Sequence, residues 1–565
     1  MQTTSSFVPA TLDATRWESL QPLYQALIDR TLKCDGCLRQ LILDRSDLDA
    51  AANEAQAVLY INMTCHTDDE AAKSAYLNFV EHVEPHLKKV GFELDKKIAG
   101  SPHASKLDSQ RYGVLLRNLK ADVDLFREAN IPLQTEETKL SQEYEETCGA
   151  MTVQFRGEEK TLPQMGRFLE MTDRATREEA WRLVAQRRLV DRDRLDGIFD
   201  QMIKLRHQMA LNAGCRNYIE YAFKRKHRFD YSPADCEAFH KGAAEVCVPV
   251  LRQLNAERAK ALAISPLRPW DLAVDIKGRP PLKPFEKAED LINKTSRLFH
   301  EMDAGLGQMF DSLLSGDCLD LESRKGKAPG GYQQNRDRMR KPFIFMNAAG
   351  LNRDLHTMVH EAGHAFHSIL CNDEPLVDYR HSPLEFAEVA SMGMELLAFP
   401  YLGQFYSDAA AARARRIHLE DMAKMIPWIA TIDAFQHWIY THPNHTRAER
   451  TAYWIELDRR FGSTVDWTGL EPFREAFWQR QLHVFSVPLY YIEYGIAQLG
   501  ALQLWIQARR NEKAALANYK KALKLGGSRP LPELFGAAEL KFKFGPDTMR
   551  TLMDEVAGEL KTLPL

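Results

Sequence analysis

The residues whose types and spacing can do chemistry cluster in Asn352–Cys371, NRDLHTMVHEAGHAFHSILC. Leu355, Met358, Val359, Ala362, Phe366, Ile369 and Leu370 recur at helical spacing, which predicts an amphipathic helix with one buried face. His360 and His364 are four apart, so their imidazoles project from one side of that helix, one turn apart, where both can reach a single ion. Glu361 completes the H-E-x-x-H arrangement, in which two His hold Zn²⁺ and the Glu takes a proton from the attacking water. Random placement of 18 His in 565 residues gives about 0.05 such motifs, so the motif alone is suggestive rather than decisive. The plain alternative is a helix whose polar face happens to carry His356, His360, His364 and His367.

A catalytic zinc needs a third protein ligand and keeps one position open. A His six residues beyond His364 is excluded, because that position is Leu370 and the intervening Gly position is His367. Downstream, Ser382-Pro383-Leu384-Glu385 has the form of a capping box with Pro at the first helical position. The helix it opens places Glu385, Glu388, Ser391, Met392 and Glu395 on one stripe of an otherwise apolar segment. Buried carboxylates without partners are costly, so a cation opposite them is the simplest account. Glu385 reads as the capping partner, Glu388 as the third ligand, and Glu395 as the carboxylate that orients a ligating His.

The elements that position these residues are mostly helical. Apolar spacing such as Leu20, Leu23, Tyr24 and Leu27 predicts helices from about Thr15 to Phe126, and the pattern returns from Arg174 to about Ile264. Met151–Gln164 predicts a short β-hairpin. Ser265–Pro284, with five prolines, and Arg324–Pro342, with seven basic residues, read as loops, the second as a solvated charged one. Phe343–Asn347 has strand character and is a candidate to pair with a bound peptide backbone.

Composition bounds the rest. Hydrophobic residues make up 45% and charged residues 27%, which excludes a mainly disordered chain. The net charge of −4 gives no reason to expect a nucleic-acid or anionic-membrane partner. Neither a signal-like start nor an apolar run long enough to span a bilayer is evident, so the expectation is a soluble cytoplasmic protein with no membrane partner. The nine scattered cysteines are not a disulfide framework, and Cys34-Asp-Gly-Cys37 stands without a second pair at zinc-ribbon distance.

With these residues in view, the chain resembles the oligoendopeptidase F and thimet oligopeptidase family of zinc metallopeptidases, and most closely its oligoendopeptidase F branch. The matching elements are His360-Glu-Ala-Gly-His364-Ala-Phe-His367, Glu385-Phe-Ala-Glu388-Val-Ala-Ser-Met-Gly-Met-Glu395, and His483 followed by Tyr490, Tyr491 and Tyr494. The resemblance implies a mainly α fold, a helical clamshell or bowl with a deep channel and a small β-sheet near a gluzincin-type zinc site. It implies an N-terminal helical domain over residues 1–200 covering the channel and a catalytic domain over 201–565. It further implies one Zn²⁺ per chain, short peptide substrates, and stabilisation of the tetrahedral intermediate by His483 with Tyr494 or Tyr491. Independently, Pro488 is suited to open a helix on which Tyr490, Tyr491 and Tyr494 share a face. Two rivals remain at this level: a gluzincin exopeptidase, and a catalytically silent helical peptide-binding protein. Retention of Glu361 speaks against the second, since a purely structural site has no use for it.

Overall fold

The structure, a computed structural model, describes residues 7–324, 326–328 and 330–565. The chain is mostly helical, with a two-stranded and a three-stranded sheet among the described residues. By contacts it divides into two compact units, each assembled from three separate stretches. Unit 1 takes Met1–Asp124, Lys283–Ala411 and Gly500–Phe542; unit 2 takes Leu125–Leu282, Ala412–Leu499 and Lys543–Leu565. The expected boundary at residue 200 lies inside helix Arg192–Asn212.

In unit 1 the N-terminal helices form as their spacing predicts. Leu20, Tyr24 and Leu27 from helix Trp17–Asp29 are buried with Leu38, Leu41 and Leu48 from helix Asp35–Cys65. Cys34 caps the second of these helices, its sulfur accepting the Cys37 N–H at 3.2 Å. That same core takes in Leu376 and Tyr379, distant in sequence. Ser46 accepts the Val377 N–H and donates to the Pro375 carbonyl, while the Tyr379 hydroxyl donates to the Arg111 carbonyl. The N-terminal helices therefore hold the segment that links the H-E-x-x-H helix to the Glu388 helix.

The three-stranded sheet runs in the order Leu319–Glu322, Lys341–Ala348, Tyr332–Arg336. This corrects two sequence expectations. First, Tyr332–Arg336 is a strand, antiparallel to Lys341–Ala348 with Tyr332 opposite Phe345; its polar composition hid it. Nor are the basic residues there uniformly solvated: Lys327 has no exposed side-chain surface and donates to the Asp320 carboxylate and to three backbone carbonyls. Second, Phe343–Asn347 is the middle strand, its two edges occupied by Leu319–Glu322 and Tyr332–Arg336, so it has no edge to offer a peptide. Among the described residues, the free edge of the sheet on that side belongs to Tyr332–Arg336.

In unit 2 the hairpin is present, Thr152–Phe155 against Glu158–Thr161. Arg156 and Gly157 both have positive φ, the two-residue turn whose twist matches paired strands. The proline-rich loop is anchored: Asp271, fully buried, pairs with Arg174 and Arg177, and Arg177 also donates to the Trp270 carbonyl.

Candidate metal centre

Helix Asn352–Leu370 follows the middle strand after a turn at Gly350, whose φ of +84° suits glycine. Asp354 closes the helix entrance, accepting the N–H groups of Ala349 and Leu351 at 2.7 and 2.9 Å. Leu355, Met358, Val359, Ala362 and Phe366 are buried, which turns His360 and His364 to the opposite side. Helix Leu384–Leu397 packs directly on it. The approach is so close that a Cβ on Gly363 would lie 2.7 Å from the Ala390 carbonyl oxygen and from Ser391 Cα.

That packing brings the expected ligands together. One ligand atom from each of His360, His364 and Glu388 lies within 4.8 Å of the other two. Glu388 Oε2 is 3.5 Å from His360 Nε2 and 3.7 Å from His364 Nε2. Donors on a tetrahedral ion with bonds of 2.0–2.2 Å stand roughly 3.4 Å apart, so the set fits zinc and leaves a fourth position to something other than these three. Glu395 Oε1 sits 2.7 Å from His360 Nδ1, leaving Nε2 directed at Glu388. Ser391 Oγ donates to Glu388 Oε2 at 3.0 Å, fixing the carboxylate; its position three residues on from Glu388 was the signal for that role.

The electrostatics call for positive charge. Burial opposes charging His360, but the hydrogen bond to Glu395 and the nearby Glu388 and Glu361 push it up to about 10. Burial, with His360 beside it, pushes His364 down to about 4 against the pull of Glu388. Glu361 is buried; that burial and the neighbouring carboxylates push it up to about 7, opposed by His360 and by the Gln333 backbone N–H. Gln333 lies on the edge strand, so the sheet touches the centre through that strand's backbone, a contact no side-chain pattern reveals.

The helix start at Ser382 differs from expectation. The helix begins at Leu384, Pro383 precedes it, and Ser382 Oγ makes no hydrogen bond among the described residues, so no capping box forms. Glu385 is buried rather than a solvent-side cap.

His483 and the three tyrosines gather in unit 2. His483 lies on the short helix Leu482–Ser486, with the rings of Tyr491, Tyr490 and Tyr494 at 5.0, 5.6 and 5.8 Å from its own. Gln481 Nε2 donates to His483 Nδ1 at 2.9 Å, which places the imidazole proton on Nε2. Sequence reasoning missed Gln481, although its position two residues before His483 was visible. Pro488 does not open the tyrosine helix, which starts at Tyr491; Leu489 intervenes with a φ of +58°. The Tyr491 hydroxyl is engaged by Trp428 and Gln481, whereas Tyr490 and Tyr494 are less buried. Arg206, fully buried, supports the His483 segment by donating to the carbonyls of Val484 and Phe485.

A helical framework in which an H-E-x-x-H helix and the next helix converge two imidazoles and a carboxylate is that of a metallopeptidase of the H-E-x-x-H plus glutamate class. The sequence profile of "Peptidase family M3" matches residues 167–553, and that of the "Peptidase M3 N-terminal domain" matches residues 7–126. The chain belongs to peptidase family M3, a family of metallopeptidases. It is 28% identical over 302 residues to an oligoendopeptidase F homolog of Borreliella burgdorferi, a match covering 51% of this chain and 49% of that protein. It is 27% identical over 296 residues to oligopeptidase PepF of Bacillus subtilis, covering 50% of this chain and 42% of the relative. These matches thus span about half or less of the curated relatives' length. Among solved structures, PZ peptidase A with an inhibitor superposes with a TM-score of 0.91 at 28% identity, covering 97% of each chain.

Proposed function

We propose that the protein is a zinc-dependent endopeptidase that hydrolyses internal bonds of short, unstructured peptides. The observation that carries this reading is the convergence of His360, His364 and Glu388, flanked by Glu361 and Glu395, in a chain of peptidase family M3. The names of its relatives, oligoendopeptidase and oligopeptidase, support the preference for short peptides.

In this reading His360, His364 and Glu388 hold one Zn²⁺, which when bound would polarise a carbonyl and acidify water toward a pKa of ~7. Glu361 accepts the proton of the attacking water and returns it to the departing amine; its elevated pKa, about 7 from burial and neighbouring carboxylates, suits both halves of that task near neutral pH. Glu395 keeps the His360 proton on Nδ1 and its Nε2 lone pair free for coordination. The family resemblance gives His483 and Tyr494 or Tyr491 the role of hydrogen-bond donors to the developing oxyanion, and the bond from Gln481 leaves the His483 proton on Nε2 for that task. The Tyr332–Arg336 edge offers backbone groups to an extended substrate, giving affinity with little sequence preference.

The test is cleavage of internally quenched peptides of graded length, with and without chelator, with products identified by mass. Internal cuts that stop on chelation and resume with zinc are expected. Release of single terminal residues would favour an exopeptidase, and binding without cleavage would favour a silent peptide-binding protein.

A further inference from the structure

Unit 2 contains a second set of metal-ligating side chains, far in sequence from the H-E-x-x-H motif. Helix Pro233–Gly242 carries Cys236-Glu-Ala-Phe-His240, and helix Asp408–Thr441 carries Asp433-Ala-Phe-Gln-His437. Each pair is four residues apart, so each helix presents two potential ligands from one face, as His360 and His364 do. Ligand atoms of Cys236, Asp433 and His437 all lie within 4.8 Å of one another. Asp433 Oδ2 is 3.5 Å from His437 Nε2 and 2.8 Å from His240 Nε2. The first of these separations equals that between Glu388 and His360 and matches the roughly 3.4 Å expected between donors on a tetrahedral zinc ion.

The burial of the set is a second, independent observation. Cys236 and Asp433 are 0% exposed and His240 is 5% exposed. Asp433 Oδ1 and His437 Nε2 are both sealed from solvent, and neither has a hydrogen-bond partner among the described residues. Leaving a carboxylate oxygen and an imidazole nitrogen unsatisfied in one buried spot costs roughly 1–3 kcal/mol for each group, and more where the group is charged. A cation at the point they share satisfies both. Arg228 acts on Asp433 through its charge, but its Nη2 donates to Glu493 and to the Leu489 carbonyl, and Asp433 Oδ1 is left without a hydrogen bond among the described residues. A cavity of about 600 Å³ reaches His240 and His437, alongside Phe223, Tyr231 and Trp438, and supplies an entry path.

We propose that Cys236, Asp433 and His437 form a second Zn²⁺ site that clamps helix Pro233–Gly242 to helix Asp408–Thr441, with His240 holding the Asp433 carboxylate from outside the ligand set. A thiolate, a carboxylate and a neutral imidazole take three tetrahedral positions, and the fourth is left to a water from the adjoining cavity. The thiolate and carboxylate charges balance the dication. On binding, the Cys236 thiol loses its proton to solvent, while the hydrogen bond from His240 keeps the Asp433 carboxylate oriented. The site stands independently of the peptidase reading.

The experiment uses the full chain carrying His360→Ala and His364→Ala, to silence the first centre, and Cys34→Ser and Cys37→Ser, to remove the exposed thiol pair. Cobalt(II) is titrated into this protein and followed by absorption, with zinc content measured in parallel by mass spectrometry. One equivalent of metal is expected, with a thiolate-to-cobalt charge-transfer band that a centre of two His and one Glu cannot produce. Adding Cys236→Ser should abolish the band, and Asp433→Asn should weaken binding at least tenfold. Two zinc ions per chain are expected with all these residues restored. A protein that takes up no equivalent of metal and shows no charge-transfer band overturns the proposal, and Asp433 is then simply a hydrogen-bonded partner of His240. The deciding spectrum is recorded with Cys236 and Asp433 intact, so poor folding of either variant does not alter what it shows.

Discussion

Replacing Gly363 by Ala tests whether contact between two helices sets the metal centre. The added Cβ would sit 2.7 Å from the Ala390 carbonyl oxygen and from Ser391 Cα, and ordinary contact begins at 3.4 Å. Both obstacles are backbone, so no side chain can rotate away. The helices must separate by about 0.7 Å or the backbone must strain. Overpacking of this kind costs about 1–3 kcal/mol, offset by about 1 kcal/mol from the better helix propensity of Ala. The net expectation is a destabilisation of up to about 2 kcal/mol. The effect on metal binding should be larger in proportion. Glu388 moves with its helix, so its present 3.5 and 3.7 Å separations from the two imidazoles would widen well beyond the ~0.2 Å tolerance of metal–ligand distances. Zinc affinity should fall by about tenfold or more, the range seen when a supporting residue of a zinc site is lost. Gly91 is the control: it lies in helix Glu84–Ala99 with nothing within 4 Å of its would-be Cβ, so Gly91→Ala should stabilise by roughly 0.5–1 kcal/mol. Urea unfolding gives the stabilities and competition with a chromophoric chelator gives the affinities. A Gly363→Ala protein with unchanged zinc affinity and unfolding midpoint would refute the reasoning.

Four further outcomes are expected. Glu361→Gln should keep its zinc and lose at least 10²-fold in turnover, since the amide cannot accept a proton; activity within about tenfold of the parent removes Glu361 as the base. Glu388→Gln should lose tight zinc binding by metal analysis, and full stoichiometry in that variant would point to another carboxylate. Arg206→Met should destabilise by about 3 kcal/mol, because it leaves Glu137 and the Val484 and Phe485 carbonyls without their buried partner; hydrogen exchange should show Leu482–Ser486 opening first. His367 is held uncharged by burial, with its pKa down at about 3 against 6.5 in the unfolded chain. The unfolded chain therefore binds the extra proton between those values, and stability contributed by the neutral ring is lost as pH falls through that window. His367→Phe should flatten the slope of stability against pH there by up to about 1.4 kcal/mol per unit, and an unaltered slope would show that His367 is not the group responsible.

Local spacing was enough to place His360, His364, Glu388 and Glu395, because a helix converts a separation of three, four or seven residues into a shared face whatever surrounds it. The hairpin at Arg156-Gly157 was legible for a similar reason, since a two-residue turn is written in adjacent residues. Tertiary structure decided what depends on distant partners. Phe343–Asn347 has the same apolar pattern whether it lies at an edge or in the middle; only its pairing with Leu319–Glu322 and Tyr332–Arg336 made it the middle strand. The need for glycine at 363 comes from a backbone 27 residues away, and the partners of the Tyr491 hydroxyl come in part from Trp428. Cys236 and Asp433 belong to different helices separated by nearly two hundred residues, so their proximity had no signal in either segment. Helix periodicity acts over a few residues through backbone hydrogen bonds. Strand order, helix approach and ligand convergence arise from burying apolar faces against each other, and that selection is made among segments the chain keeps far apart.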